Sequence, residues 1–145
     1  MKVLFDTNII LDLLLDRTPF VDSVAQLLSK VEQGDLMGCL CATTITTISY
    51  LATKVVGGKK ARKEIQKLLT LFEIAPVNRA VLQAAIYSGA LDFEDGVIYE
   101  AAAFVEADGI VTRDPKGFKK AKIRIYSPGE LLQMLSDREQ TPKKV

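Results

Sequence analysis

The chain has 145 residues, of which 48% are hydrophobic and 26% charged, and its formal net charge is +1. That length predicts one domain, at roughly 100–200 residues per domain, and the near-zero charge excludes a protein that coats nucleic acid through a whole-molecule basic field. There is no histidine, which excludes Ser-His-Asp hydrolysis, imidazole-based RNA cleavage and His-ligated zinc.

Lys2 to Phe5 reads as a short buried strand. Asn8 to Leu15 carries Ile9, Ile10, Leu13 and Leu14 at helical spacing, and Thr18-Pro19 breaks it. Phe20 to Gln33 is predicted as a second helix, stopped by Gly34. Met37 to Ala42 reads as a second strand. Its Cys39 and Cys41 lie two residues apart and point to one face, so they read as buried thiols rather than a disulfide or metal site. Thr43 or Thr44 is expected to cap a helix that ends at Gly57-Gly58, and Lys59 to Thr70 forms the next. Phe72 to Pro76 is a short strand, and Asn78 is a suitable N-cap for Arg79 to Ser88. Asp92 is expected to cap a helix running to about Ala107, with Asp95 in a capping-box position.

Gly109 to Thr112 is a strand, Asp114 to Gly117 a turn, and Arg124 to Tyr126 a final strand. Ser127-Pro128-Gly129-Glu130 is a capping box with proline at the first helical position, opening a helix through Leu135. The charged segment from Asp137 to Val145 contains Pro142 and is expected to be disordered. The domain is therefore placed at residues 1–136 and the tail at 137–145. The opening residues are too acidic for a signal peptide, and no apolar run is long enough to span a bilayer. A cytoplasmic protein is expected.

Strands and helices alternate throughout, which predicts an α/β fold with a parallel sheet covered by helices. In such sheets the ligand site lies beyond the carboxyl ends of the strands. Asp6 ends the first strand, Asp114 follows a late one, and Asp92-Phe93-Glu94-Asp95 opens a long apolar helix. Carboxylates placed this way converge in space, and converging carboxylates suit Mg2+ or Mn2+, which prefer oxygen ligands. A divalent ion so held can hydrolyse phosphodiesters.

The plainer reading of such aspartates is helix capping, and it suits Asp92 best. Thr7-Asn8 can cap the first helix without Asp6, so Asp6 reads as a ligand. Asp12, nearly two turns further on, reads as surface or support, and Glu100 and Glu106 as solvent-facing. Two groups of cations can track a phosphate backbone. One is Arg113, Lys116, Lys119, Lys120 and Lys122; the other is Lys54, Lys59, Lys60, Arg62 and Lys63. Solvated surface is the alternative for each. Tyr50 and Tyr99 read as core or interface rather than as base-stacking residues.

Three segments carry a resemblance: Val3-Leu4-Phe5-Asp6-Thr7-Asn8-Ile9-Ile10-Leu11-Asp12, then Glu94-Asp95-Gly96-Val97-Ile98-Tyr99-Glu100-Ala101-Ala102-Ala103, then Gly109-Ile110-Val111-Thr112-Arg113-Asp114. In order and spacing the sequence resembles the PIN-domain nucleases, and among them the VapC-type toxins. The resemblance implies a three-layer α/β/α fold with a central, mainly parallel sheet of four or five strands. It also implies an Mg2+- or Mn2+-dependent endoribonuclease, with Asp6, Asp95 and Asp114 as catalytic, metal-binding acids. Asn8 and Thr112 fall at supporting positions. Arg113, Lys116, Lys59 and Lys60 become candidates for RNA contact.

One position departs from the pattern. The family usually has a glutamate in the helix after the second strand; Ser49 stands there, and no acid occurs between Asp35 and Glu64. Either Asp92 or Glu94 supplies the missing carboxylate, or the metal site is weak and the domain binds RNA or protein without cutting. VapC-like toxins also imply a homodimer and a small antitoxin partner, with Ile10, Leu14 and Phe20 as contact candidates or core. A phosphatase is disfavoured by the lack of an Asp-x-Asp pair after the first strand, and a receiver domain by the lack of an acid between Phe72 and Val77.

Overall fold

A computed structural model of the chain describes residues 1–90, 92–118 and 122–140. Among the described residues, five strands form one sheet: β1 (Lys2–Phe5), β2 (Met37–Cys41), β3 (Glu73–Ala75), β4 (Gly109–Val111) and β5 (Arg124–Tyr126). Their order is β3-β2-β1-β4-β5, and every neighbouring pair is parallel. β1 is central. The chain moves outward from it to β2 and β3, then returns to the other side for β4 and β5. The order therefore reverses between β1 and β4, the place where such sheets open a crevice at their carboxyl edge.

Seven helices cover the sheet: α1 (Thr7–Leu14), α2 (Val21–Glu32), α3 (Ala42–Val56), α4 (Gly58–Leu71), α5 (Arg79–Tyr87), α6 (Phe93–Phe104) and α7 (Pro128–Gln140). The two-residue alternation of the strands sorts their side chains between two cores. Val3, Phe5, Leu40, Val111 and Tyr126 join residues of α1, α2, α3, α4 and α7 on one face. Leu4, Cys39, Cys41 and Ile110 join α5 and α6 on the other. This is the three-layer α/β/α arrangement, with a wholly parallel five-stranded sheet. Both cysteines are free and buried, and burial pushes the Cys39 thiol up to about 11.

One close approach fixes the first core. A Cβ on Gly38 would stand 2.5 Å from Phe72 Cε1, so the Phe72 ring lies where a side chain at position 38 would be. The same ring meets Phe5 edge-on, with centroids 5.2 Å apart.

Several boundaries differ from the sequence expectation. Neither Thr43 nor Thr44 caps α3, which begins at Ala42 without a side-chain cap bond. The Thr43 carbonyl instead accepts bonds from the Thr46 and Thr47 hydroxyls inside the helix. α6 stops at Phe104 rather than Ala107. Glu106 takes a positive φ of 56°, while Glu106 N–H bonds to the Ala103 carbonyl and Ala107 N–H to the Ala102 carbonyl. That pair of bonds is a Schellman stop, usually built on glycine.

α7 passes Leu135 and continues to Gln140. Leu131 and Leu135 anchor it in the core, and Glu139 pairs with Lys30 of α2 at 2.7 Å. The expected disordered tail thus begins as helix over Asp137–Gln140; residues 141–145 lie outside the described residues. The Ser127–Glu130 capping box is present in both directions, at 3.2 and 3.1 Å. Asn78 caps α5 through Val81 N–H as expected. Among the described residues no helix is long and apolar enough to cross a membrane.

Candidate active site

Asp6 leaves the end of β1 in extended conformation and is the N-cap of α1. Its Oδ1 accepts the Thr7 N–H at 2.8 Å, and its Oδ2 accepts the Thr112 hydroxyl at 2.8 Å. Thr7 and Asn8 therefore do not cap α1, as the sequence had suggested: Asp6 both caps it and faces the site, 6% exposed. Thr112 follows β4 directly, beside β1 in the sheet. It also accepts the Asp114 N–H at 3.0 Å. One buried hydroxyl thus joins the side chain of Asp6 to the backbone of Asp114.

The third acid arrives from the opposite face. Asp92 caps α6, its Oδ1 accepting Glu94 N–H at 2.8 Å and Asp95 N–H at 3.3 Å. This sets Asp95 in the first helical turn. The 3-10 turn Pro115–Phe118 lies against it, and a methyl group on Gly117 would overlap the Asp95 carboxylate. A larger residue there would require the Asp95 carboxylate to turn away.

The electrostatics report the convergence. Burial pushes Asp95 up to about 6, and the charges of Asp92, Asp6, Glu94 and Asp114 push it the same way. Asp6 is also raised, mainly by burial, against the hydrogen bonds from Thr112 and Thr7 and with a smaller push from Asp114. Among the described residues, none of these five carboxylates has a Lys or Arg ion-pair partner. Excess negative charge at a sheet edge is the environment a divalent cation offsets. Asn8 Oδ1, two positions beyond Asp6, is buried without a hydrogen-bond partner among the described residues, an oxygen left free for a cation or its water.

The oxygen-only donor set therefore fits Mg2+ or Mn2+. It is a loose fit, since no group of three acids among the described residues forms a ready-made cage. An ion held by one or two carboxylates and several waters meets that geometry. Ser49 lies within α3, its carbonyl accepting the Thr53 hydroxyl, and no described hydrogen bond joins it to the acids. The α3 residue that reaches toward them is Thr44, whose hydroxyl meets that of Thr7 at 2.8 Å in the interior.

Asp12 is not at the surface. It is fully buried, and Arg113 grips it through Nε at 2.5 Å and Nη2 at 3.2 Å, with Arg17 at 3.7 Å. The Phe20 ring stacks on the Arg113 guanidinium, 4.1 Å from its centroid. The side chain expected to meet RNA is thus engaged inside the protein. The sequence held a signal for this pair: an acid within Ile9-Ile10-Leu11-Asp12-Leu13-Leu14 sits in a core-facing run and calls for a buried cation.

Lys116, Lys59 and Lys60 are exposed. Lys119 and Lys120 lie outside the described residues, and Lys122 donates its backbone N–H to the Tyr99 hydroxyl at 3.0 Å. Tyr50, expected in core or interface, is 62% exposed under the Lys54 ammonium. Ile10 is core, while Phe20 remains partly exposed. A cavity of about 370 Å³ opens between Phe20, Arg113 and Gly129. The acids do not line it.

The comparisons with known proteins agree with this fold. The PIN domain family model matches residues 2–116. The chain belongs to the PIN-domain family. Among solved structures, it is similar to a chain of a toxin-antitoxin complex from Klebsiella pneumoniae, at 21% identity over 87% of this chain and 97% of that one, TM-score 0.67. It is also similar to a chain of VapBC-1 from nontypeable Haemophilus influenzae, at 17% identity over 89% and 99%, TM-score 0.69. A third is from VapBC2 of Rickettsia felis bound to a DNA fragment from its promoter, at 14% identity over 88% and 98%, TM-score 0.63. At these identities the likeness is one of fold. A comparison with curated proteins gives no significant match.

Proposed function

We propose that the protein is an Mg2+- or Mn2+-dependent endoribonuclease and the toxin of a toxin-antitoxin pair. The observation that supports this reading is the position of Asp6, Asp95 and Asp114 at the carboxyl edge near the switch point of the sheet, where burial first, and then the charges of Asp92, Asp6, Glu94 and Asp114, push Asp95 up to about 6. Family membership supports nuclease chemistry, and the toxin complexes among the structural relatives support a small antitoxin partner. A homodimer in the cytoplasm is part of the same reading.

In this mechanism Asp6, Asp95 and Asp114 would hold the ion, with Asp92 and Glu94 adding negative potential beside Asp95. When bound, a divalent ion supplies Lewis acidity and an activated water at neutral pH. Thr112 holds the Asp6 carboxylate in one orientation, and the N-terminus of α6 favours anions at Asp95. Exposed Lys116, two residues beyond Asp114, would meet the RNA backbone in this reading. The chain has no imidazole to relay a proton from a ribose 2′-hydroxyl, so water is the expected nucleophile.

End-group analysis tests the chemistry. RNA cut in Mn2+ is expected to carry 5′-phosphate and 3′-hydroxyl ends. Cyclic 2′,3′-phosphate ends would contradict the mechanism. The second reading, an RNA- or protein-binding module, is favoured by Ser49 in the acid position and by the lack of a three-acid cage. It predicts retention of RNA by the folded protein without cleavage in either metal.

A further inference from the structure

The Asp12–Arg113 pair is costly unless it has a task. Asp12 is fully buried, and removing a carboxylate from water is repaid only by good geometry and full hydrogen bonding. Both its oxygens are met by Arg113, from a position 101 residues away in sequence. Arg17 adds a third contact from the end of α1. There the chain folds back so that Arg17 N–H also bonds to the Asp12 carbonyl.

The place of Arg113 in the chain gives the pair its meaning. Thr112, just before it, donates to Asp6; Asp114, just after it, donates its N–H to Thr112. The loop that carries both groups has left β4 and lacks sheet pairing beyond Thr112, whose N–H bonds to the Tyr126 carbonyl. Asp114 itself is exposed. The Arg113 side chain is therefore the anchor between two site residues, pulled toward α1 by Asp12 and held flat by Phe20. A bidentate guanidinium–carboxylate contact fixes direction as well as distance.

We propose that Asp12 is a positioning residue of the acidic site: through Arg113 it fixes the loop after β4 so that Asp114 is presented beside Asp6 and Asp95. This rests on the nuclease reading for its purpose, but the holding of the loop does not require it. Second-sphere partners of ligating groups act in this way.

The test replaces the whole pair with apolar side chains of similar length, Asp12→Leu with Arg113→Met, because buried ion pairs so replaced commonly keep or gain stability. Asp12→Asn serves as a milder second variant. Each is compared with the wild type by thermal melt, by Mn2+ titration and by amide exchange at Asp114. The expected result is a folded double variant whose Mn2+ affinity falls about 10- to 100-fold, with faster exchange of the Asp114 N–H. Asp12→Asn is expected to shift both readouts in the same direction by less.

A folded variant that binds Mn2+ as the wild type does and protects the Asp114 N–H equally would overturn the proposal and leave a merely structural pair. If the double variant does not fold, Asp12→Asn decides by the same two readouts. If the wild type itself takes up no Mn2+, the nuclease reading fails separately. Exchange at Asp114 then decides alone: unchanged protection overturns the role, and faster exchange upholds it.

Discussion

Asp6 carries two tasks that usually fall to different residues. It closes the first turn of α1 and presents a buried carboxylate to the site. Asparagine is as good an N-cap as aspartate: its Oδ1 can accept the Thr7 N–H, while its Nδ2 can only donate to the Thr112 oxygen, so Asp6→Asn removes charge and keeps the cap. Asp95 makes the opposite demand, because its ionised form is disfavoured in the metal-free protein. Burial and the neighbouring carboxylates push its carboxyl up to about 6 in the folded protein, from an ordinary value of 3.8 in the unfolded chain. The folded state therefore holds the extra proton between those values, and stability falls as pH rises through that window. In EDTA, Asp95→Asn is expected to raise Tm at neutral pH, with the gain fading as pH falls toward 3.8. A thermal melt series against pH measures it; a lower Tm for the variant at neutral pH would show that the carboxylates do not repel one another as described.

At the scale of elements, most of the fold was legible because the strands are short apolar runs and the helices carry clear punctuation. Gly34 stops α2 in the left-handed conformation and Asn78 starts α5, and both residue types announce these roles. The stops at Asp16 and Glu106 use the same left-handed geometry without glycine, so nothing in the sequence marked them. Thr43 and Thr44 looked like caps, but their contacts lie inside the helix and across to α1.

The places of Asp6, Asp95 and Asp114 at a strand end, a helix start and the loop after a strand were legible in the sequence; their role as metal ligands is the proposal above. For the Asp12–Arg113 pair the sequence marked only one half, an acid in an apolar run; its cationic partner lies 101 residues away and nothing local pointed to it. Packing sets limits of its own at Gly38, where the Phe72 ring fills the space of a side chain. Gly38→Ala is expected to destabilise the protein by about 1–3 kcal/mol through overpacking, read by urea denaturation. An unchanged midpoint would mean that Phe72 moves aside freely.

At the scale of the molecule, the architecture gathers Asp6, Asp92, Glu94, Asp95 and Asp114 toward one edge of the sheet, in a chain whose net charge is only +1. β1 and β4 lie side by side only because the order in which strands are added reverses between them, and this puts Asp6 next to Thr112, one residue from the loop that carries Asp114. α6 crosses from the other layer to add Asp95. On the proposed nuclease reading, a net charge of +1 would leave any attraction of RNA to local lysines such as Lys116, Lys59 and Lys60, and binding would weaken with salt. The loss of an acid at Ser49 makes metal binding the point on which everything else turns.

The most direct measurement is cleavage of labelled single-stranded and structured RNAs in Mg2+, Mn2+ or EDTA, by the wild type and by Asp6→Asn. The account predicts cutting in the metals, none in EDTA, and a loss of at least about 100-fold in Asp6→Asn with its fold intact, as expected when a group acting in the transition state is removed. Cutting by Asp6→Asn at the wild-type rate, or no cutting by the folded wild type in either metal, would contradict it.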